Sequence, residues 1–261
     1  MSNTALITGA SGGIGYELAL LFARNGYDCI LVARSRDKLD ELAARLESEH
    51  HVKTLVIGRD LSRPNAVDEI YEEVTAASMP VDVLVNNAGF PVFGPFNETD
   101  LQTELEMLQV NVVALTALTK LFLRGMVERR AGRILNLAST AAFLPGPLMA
   151  VYYASKAYVL SFSQALANEL RGTGVTVTAL CPGPTRTGFQ KRGVMEDSRL
   201  VQGEIADAAS VALAGYRGLM AGKTLVIPGF SNKLIPWVVR LSPRGVVTRV
   251  VRRMQERSPQ R

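Results

Sequence analysis

The sequence predicts an α/β fold, a doubly wound parallel sheet of about seven strands with helices on both faces and a helical C-terminal extension. Three observations carry this. Short apolar runs alternate with segments of helical period. The runs are rich in Val, Ile and Leu without polar alternation, as expected when both sheet faces are covered. Polar segments follow the carboxyl ends of six predicted strands, where open α/β sheets bind ligands.

Taken in order, strands are predicted at 5–8, 29–33, 54–57, 81–86, 133–138, 175–181 and 224–227. Between them, helical spacing fits 13–25, 36–49, 64–77, 100–127, 150–171 and 206–220. Gly26, Gly132 and Gly172 stand where helices should stop. Residues 183–203 are rich in turn formers with little periodicity and read as a mobile loop. Residues 1–230 are expected to form a single domain, and 231–261 a basic amphipathic extension packed on it or on a partner subunit.

Composition narrows the possibilities. The chain of 261 residues is 48% hydrophobic, ordinary for a globular protein. It holds no unbroken run of about 18 apolar residues, and no membrane-spanning helix is expected. Cys29 and Cys181 lie in apolar strand-like runs and read as reduced, buried thiols of a cytoplasmic protein. No Cys/His cluster has metal spacing, and no metal is expected. His50 and His51, the two histidines, end a polar helix, which argues against a Ser-His-Asp hydrolase. The net charge of +5 is uneven: residues 231–261 carry eight basic residues against Glu256, a net +7, and the remainder sums to −2. A near-neutral body with a basic tail argues against a nucleic-acid surface on the core.

The chemistry is read from two motifs. Tyr152 and Lys156 stand four apart and share a helix face. An ammonium beside a phenol favours the phenolate, and a shift of about three units from the usual value of about 10, roughly 4 kcal/mol, would suit Tyr152 to proton donation near neutral pH. The glycine-rich loop Gly9–Gly15 follows the first strand and opens a helix, the arrangement that holds the pyrophosphate of a nicotinamide dinucleotide. Proton plus hydride is carbonyl reduction, or alcohol oxidation in reverse. Either motif alone has a bland reading, an exposed tyrosine on a lysine stem or a common α/β turn.

Thr-Gly-x-x-x-Gly-Ile-Gly at 8–15, Asn-Asn-Ala-Gly at 86–89, Asn111, Ser139, Tyr152, Lys156 and Pro-Gly-x-x-x-Thr at 182–187 occur in one order. In this the chain resembles the short-chain dehydrogenase/reductase family, in its compact single-domain, Rossmann-like form, from Thr4 to about Pro228. The resemblance implies that Ser139 donates to the substrate oxygen, that Tyr152 protonates it, that Lys156 tunes the tyrosine and binds the nicotinamide ribose, and that Asn111 holds a water serving the lysine. It implies that Gly9, Gly13 and Gly15 let the backbone approach the pyrophosphate and that Ile14 also borders the cofactor. Asp60 and Leu61 would border the adenine, and Asn86, Ala88 and Gly89 the adenosine side. Pro182, Gly183, Thr185 and Thr187 would position the nicotinamide. Asn87 reads as structural, bridging adjacent strands.

Cofactor choice follows from the end of the second strand, Val32-Ala33-Arg34-Ser35. An NAD enzyme usually has a carboxylate there. Arg34 instead offers a planar fork to a 2′-phosphate, with hydroxyls from Ser11 and Ser35, so NADP(H) is expected. Arg34 stacked on adenine is the other reading. Phe90, Phe93, Phe143, Leu144, Met149, Tyr153 and Phe189 are expected around the substrate, which suggests an apolar carbonyl compound. The leading function is an NADP-dependent reductase of a ketone, aldehyde or 3-oxo compound. A dehydratase or epimerase on the same fold, and a non-catalytic dinucleotide sensor, are the alternatives.

The C-terminal extension departs from the family, many of whose members end soon after the last strand with a turn that helps build a tetramer. The expected assembly is therefore a homo-oligomer, a dimer in preference. Leu234, Ile235, Val238, Val239 and Leu241, with Trp237 beside them, make one helical stripe. Val246, Val247, Val250, Val251 and Met254 make another. These stripes are expected to pack on protein near the substrate entrance or a subunit boundary. An interfacial membrane helix and a solvated helix for an acidic partner are the competing readings.

Overall fold

The computed structural model describes residues 3–187 and 205–256. Seven parallel strands form the central sheet: β1 (Thr4–Thr8), β2 (Asp28–Ala33), β3 (Thr54–Gly58), β4 (Val83–Asn86), β5 (Gly132–Leu137), β6 (Val175–Leu180) and β9 (Leu225–Val226). Their order is β3-β2-β1-β4-β5-β6-β9. A short parallel pair, β7 (Thr185–Arg186) and β8 (Ala206–Asp207), lies apart from it. The helices are α1 (Gly13–Arg24), α2 (Arg36–His50), α3 (Ala66–Ala76), α4 (Leu101–Leu108), α5 (Leu115–Glu128), α6 (Ala150–Glu169), α7 (Ala208–Met220), α8 (Phe230–Leu241) and α9 (Arg244–Gln255).

Strand pleating divides the core. Alternate residues face opposite sides of a sheet. Ala5, Ile7, Cys29, Leu31, Val83 and Val85 therefore pack beneath α1, α2 and α7, with Leu18 and Phe22 of α1 fully buried there. Leu6, Ile30, Val32, Leu84, Ile134 and Val177 face the other way, against α3, α5 and α6. Each large side chain so buried contributes about 1.5–3 kcal/mol before entropy is set against it.

The predicted helix at 100–127 is present but not uniform. Asp100 caps it by accepting from the Thr103 N–H at 2.7 Å. A π-helical turn, Gln109–Ala114, joins α4 to α5. Asn111 lies in that turn, fully buried, where its amide is committed to neighbouring elements. The continuous helix Leu101–Glu128 is long and apolar enough to cross a membrane by length and composition. A search for unbroken apolar runs passes over it, because its polar residues are interspersed. In this fold Leu118, Phe122 and Met126 bury one face of it against the sheet.

A polar chain crosses the second core. Asn86 Nδ2 donates to Thr119 Oγ1 and to Asn136 Oδ1, both at 2.9 Å, and Asn136 Nδ2 donates to Ser163 Oγ at 2.9 Å. Buried amides of this kind hold only while every partner is present. Asn136→Ala takes one acceptor from the Asn86 amide, which keeps Thr119, and one donor from the Ser163 hydroxyl, which keeps Val159 O at 2.6 Å, and should cost about 1–2 kcal/mol in urea unfolding. A loss under about 0.5 kcal/mol would show that water replaces the missing amide.

Candidate active site

The strand order reverses between β1 and β4: β2 and β3 lie on one side of that line, β5, β6 and β9 on the other. Chains leaving the two carboxyl ends diverge and open a crevice there. Thr8 ties the two ends together. Its hydroxyl donates to Val85 O at 3.1 Å and accepts from the N–H groups of Asn87 and Ala88, each at 3.0 Å. Asn87 Nδ2 returns a bond to Thr8 O at 2.8 Å.

The glycine loop lies against this clamp. Its backbone hooks onto the next strand through Gly9 N to Val32 O at 2.8 Å. Gly15 touches both Gly9 O and the Asn87 amide, leaving no room for a Cβ. Gly13 has φ +57°, and a Cβ there would stand 3.0 Å from Thr187 Cγ2. Gly12, by contrast, looks onto open space. The result is a bare-backbone cradle at the N-terminus of α1, closed on one side by the 182–187 segment, with the polarity an anion requires. These residues fit a dinucleotide's pyrophosphate.

At the end of β2, Ala33 pairs with Gly58 of β3, so Arg34 and Asp60 are neighbours. Their charged groups stand 3.9 Å apart, and the Arg34 side chain is 56% exposed. Such a pair is worth little in water and leaves the guanidinium available. Asp60 also accepts from the Ser62 N–H at 3.0 Å and the Ser62 hydroxyl at 2.9 Å. Leu61 is buried in the second core. The hydroxyls of Ser11 and Ser35 make no hydrogen bond among the described residues. Asn86 ends β4 at the crevice. Its side chain points into the core toward Thr119 and Asn136, so it offers a ligand backbone alone.

Tyr152 and Lys156 sit on one face of α6, both buried, with Lys156 Nζ 5.8 Å from the Tyr152 ring centre. Ser139 follows β5 in extended backbone and caps the 3₁₀ helix Thr140–Phe143 by accepting from the Ala141 N–H at 3.1 Å. Its hydroxyl donates to Pro182 O at 3.4 Å and lies close enough to the Tyr152 hydroxyl to draw that phenol's pKa down against burial. Lys156 Nζ donates to Leu137 O at 2.8 Å. Asn111 donates to Phe90 O at 3.1 Å and Ser155 Oγ at 3.2 Å, and accepts from the Phe90 N–H at 3.1 Å. A Cβ on Gly89 would lie 2.9 Å from Asn111 Oδ1 and 3.5 Å from Lys156 Nζ, so the bare glycine is where the two polar groups converge.

The electrostatics correct one expectation. Burial pushes the Tyr152 phenol up, the nearby Ser139 hydroxyl offsets part of this, and Tyr153 adds to the rise. The lysine does not bring it down. Burial instead lowers Lys156 to about 8, with Cys181 acting weakly the other way. The reason is distance and solvent: the ammonium is held by the Leu137 carbonyl, and both groups lose water. A phenol kept protonated remains able to donate to a strongly basic alkoxide. The Cys181 thiol is pushed up to about 12 by burial, which makes it inert.

Beside Tyr152 an apolar cluster gathers Met107, Ala141, Met149 and Tyr153 with Phe90, Phe93 and Leu144. Phe143 does not join it. It packs on the far side with Val159, Leu160 and Cys181, because the 3₁₀ turn points successive residues to different sides. Phe189 lies outside the described residues. Tyr153 packs over Gly146 and meets the Tyr152 ring edge-on, centres 6.0 Å apart. From the extension, Val247 and Val251 of α9 are buried in this cluster, as one expected place for their stripe, and Gln255, which the sequence reading missed, lies beside it. The Gln255 carboxamide is fully buried. It approaches the Tyr153 hydroxyl closely enough to pull that pKa down against burial. By strict geometry neither of its polar atoms makes a hydrogen bond, so the contact is a polar approach, short of a formed bond.

A family model described as short chain dehydrogenase matches residues 3–197. A very-long-chain 3-oxoacyl-CoA reductase of Pyrenophora tritici-repentis is 35% identical over 241 residues, 89% of this chain and 70% of that one. Among solved structures, a short-chain dehydrogenase from Sphingobium yanoikuyae in complex with NADPH is 32% identical, covers 94% of each chain and superposes with a TM-score of 0.84. The bulky-bulky ketone specific alcohol dehydrogenase from Comamonas testosteroni is 29% identical, covers 93% of this chain and 95% of its own, and has a TM-score of 0.78.

Proposed function

The chain belongs to the short-chain dehydrogenase family, and from that premise we propose that it is an NADP(H)-dependent reductase of an apolar ketone or 3-oxoacyl compound. One observation carries the reading. The buried Tyr152 side chain, with Ser139 beside it, stands with Lys156 at the carboxyl edge of the sheet that also holds the Gly9–Gly15 cradle. NADPH, when bound, supplies the hydride.

This chain's own residues do the remainder. Ser139 donates to the substrate carbonyl oxygen, where negative charge develops in the transition state. Tyr152, kept protonated by burial, gives its proton to that oxygen. Lys156, close to the tyrosine, supplies positive charge, and Asn111 fixes the Phe90 backbone beside it. The bare glycines receive the pyrophosphate, and Arg34 with Ser11 and Ser35 receives the 2′-phosphate. The names of the relatives support this substrate class: one acts on 3-oxoacyl thioesters and another on ketones bulky on both sides. The apolar cluster around Tyr152 suits both. Gln255 offers a second polar contact, which a 3-oxoacyl compound with its additional carbonyl can use.

The test is loss of NADPH absorbance with a panel of bulky ketones and 3-oxoacyl-CoA thioesters. Tyr152→Phe should lower kcat by about 10²–10⁴-fold while NADPH still binds, and Tyr153→Phe should be far milder. The reverse ranking would place the proton donor one residue on. Arg34→Ala should weaken NADPH roughly 10–150-fold and NADH much less. Equal weakening would mean that Arg34 stacks on adenine. The pH profile carries a sign. The depressed Lys156 is an ammonium below about 8 and a neutral amine above. Reduction should hold at neutral pH and fall as pH rises through about 8. A rate that climbs across that range would show that the charged lysine is not the working form.

A further inference from the structure

We propose that the outer faces of α8 and α9 form a docking surface for an anionic lipid bilayer. The inner faces are already engaged. Asn232 of α8 packs on Gly183 and donates to Pro228 O at 2.8 Å, Val239 touches the apolar cluster at Tyr152, and α8 runs along the 3₁₀ helix Thr140–Phe143. Val247, Val251 and Gln255 of α9 are buried beside the same cluster. Both helices are thus held to the body by one side.

The outward sides are more apolar than such a helix needs. At 100° per residue, Phe230, Leu234, Trp237, Val238 and Leu241 share one arc of α8. All five are exposed, Phe230 by 81%, Trp237 by 66% and Leu241 by 83%. The expected stripe is divided: α8 docks by Asn232, Ile235, Pro236 and Val239, and turns Leu234, Trp237, Val238 and Leu241 out with Phe230. On α9, Val246, Val250 and Met254 are likewise exposed. Exposed apolar arcs with an aromatic at their edge mark an interaction surface.

Charge identifies the occupant. Between Phe230 and Glu256 the chain carries Lys233, Arg240, Arg244, Arg249, Arg252 and Arg253 against one acid, Glu256. Glu256 pairs with Arg252 at 3.3 Å, and among the described residues no ion pair engages the other five. A second copy on a twofold axis would set these cations against their own equivalents, which is unfavourable. An anionic bilayer supplies both an apolar layer for the stripes and negative headgroups for the arginines. Because the inner faces of the same helices border the site, such docking brings the substrate mouth to the lipid surface. The docking itself does not depend on the substrate reading.

Trp237 is the one tryptophan in the chain, so its emission reports directly. With the full-length protein and vesicles of phosphatidylcholine containing about 30% phosphatidylglycerol, the emission should shift to the blue. The protein should float with the vesicles, and added salt should weaken both effects. The pair Phe230→Asp and Leu241→Asp should lower vesicle binding by about tenfold or more with the melting temperature unchanged. Arg249→Glu with Arg253→Glu provides a second variant should the first fail to fold. No shift and no flotation overturns the proposal. Equal, salt-insensitive binding to pure phosphatidylcholine overturns the role of the arginines. A dimer in lipid-free buffer that the Asp pair dissociates gives the face to a second copy, and binding to an acidic protein but not to vesicles gives it to that partner.

Discussion

Two adjacent parallel strands, β1 and β4, release their chains in opposite directions, and the crevice between those ends is the constraint on which the site depends. Thr8 and Asn87 hold that divergence open while fixing it to a single geometry. The glycine cradle must then lie against a backbone with no space for side chains, which Gly9, Gly13 and Gly15 meet. The ends of β5 and β6 on the other flank bring Ser139 and Pro182 together, through the Thr140 N–H to Pro182 O at 2.9 Å. The catalytic helix α6 packs across β5 and β6, so the tyrosine and lysine reach the same edge.

Within that crevice, removal of water outweighs attraction between neighbours. A charged pair in water gains from proximity, whereas a pair sealed from water loses hydration first. The result runs opposite to simple pairing: the phenol is harder to ionise and the ammonium easier to neutralise. The first shift favours reduction, because the acid stays loaded with its proton until an alkoxide forms, and the second sets its upper pH limit, because the lysine keeps its charge only below about 8. The Ser139 hydroxyl, beside Tyr152, stands where it can serve both the acid and the oxygen that receives its proton.

Much of this was legible in the sequence, and the rest fails for identifiable reasons. Seven apolar runs became seven strands, since fully buried parallel strands carry an unbroken hydrophobic signal. The motif residues at strand ends assembled at one edge because topology brings all carboxyl ends together. What escaped were features decided by tertiary contact. Helical spacing ran unbroken through Asn111, whereas the π turn there goes with the Phe90 backbone that Asn111 grips. Asn86 carries a motif residue's identity, yet its side chain is claimed by the core. Phe143 is separated from its neighbours by a four-residue 3₁₀ turn. Periodicity identified the stripe on α8 but not its direction, because that helix has apolar residues on both sides. Gln255 had no signal beyond its place one turn after Val251.

The account rests on transfer of hydride to a substrate carbon with the proton arriving separately from Tyr152. The most direct measurement is product analysis after turnover in ordinary water with NADPH carrying deuterium on the transferable nicotinamide position. The account predicts one deuterium on the carbinol carbon of the product and none lost to solvent. Product without the label, or label exchanged into water while the substrate is dehydrated or epimerised, would contradict it.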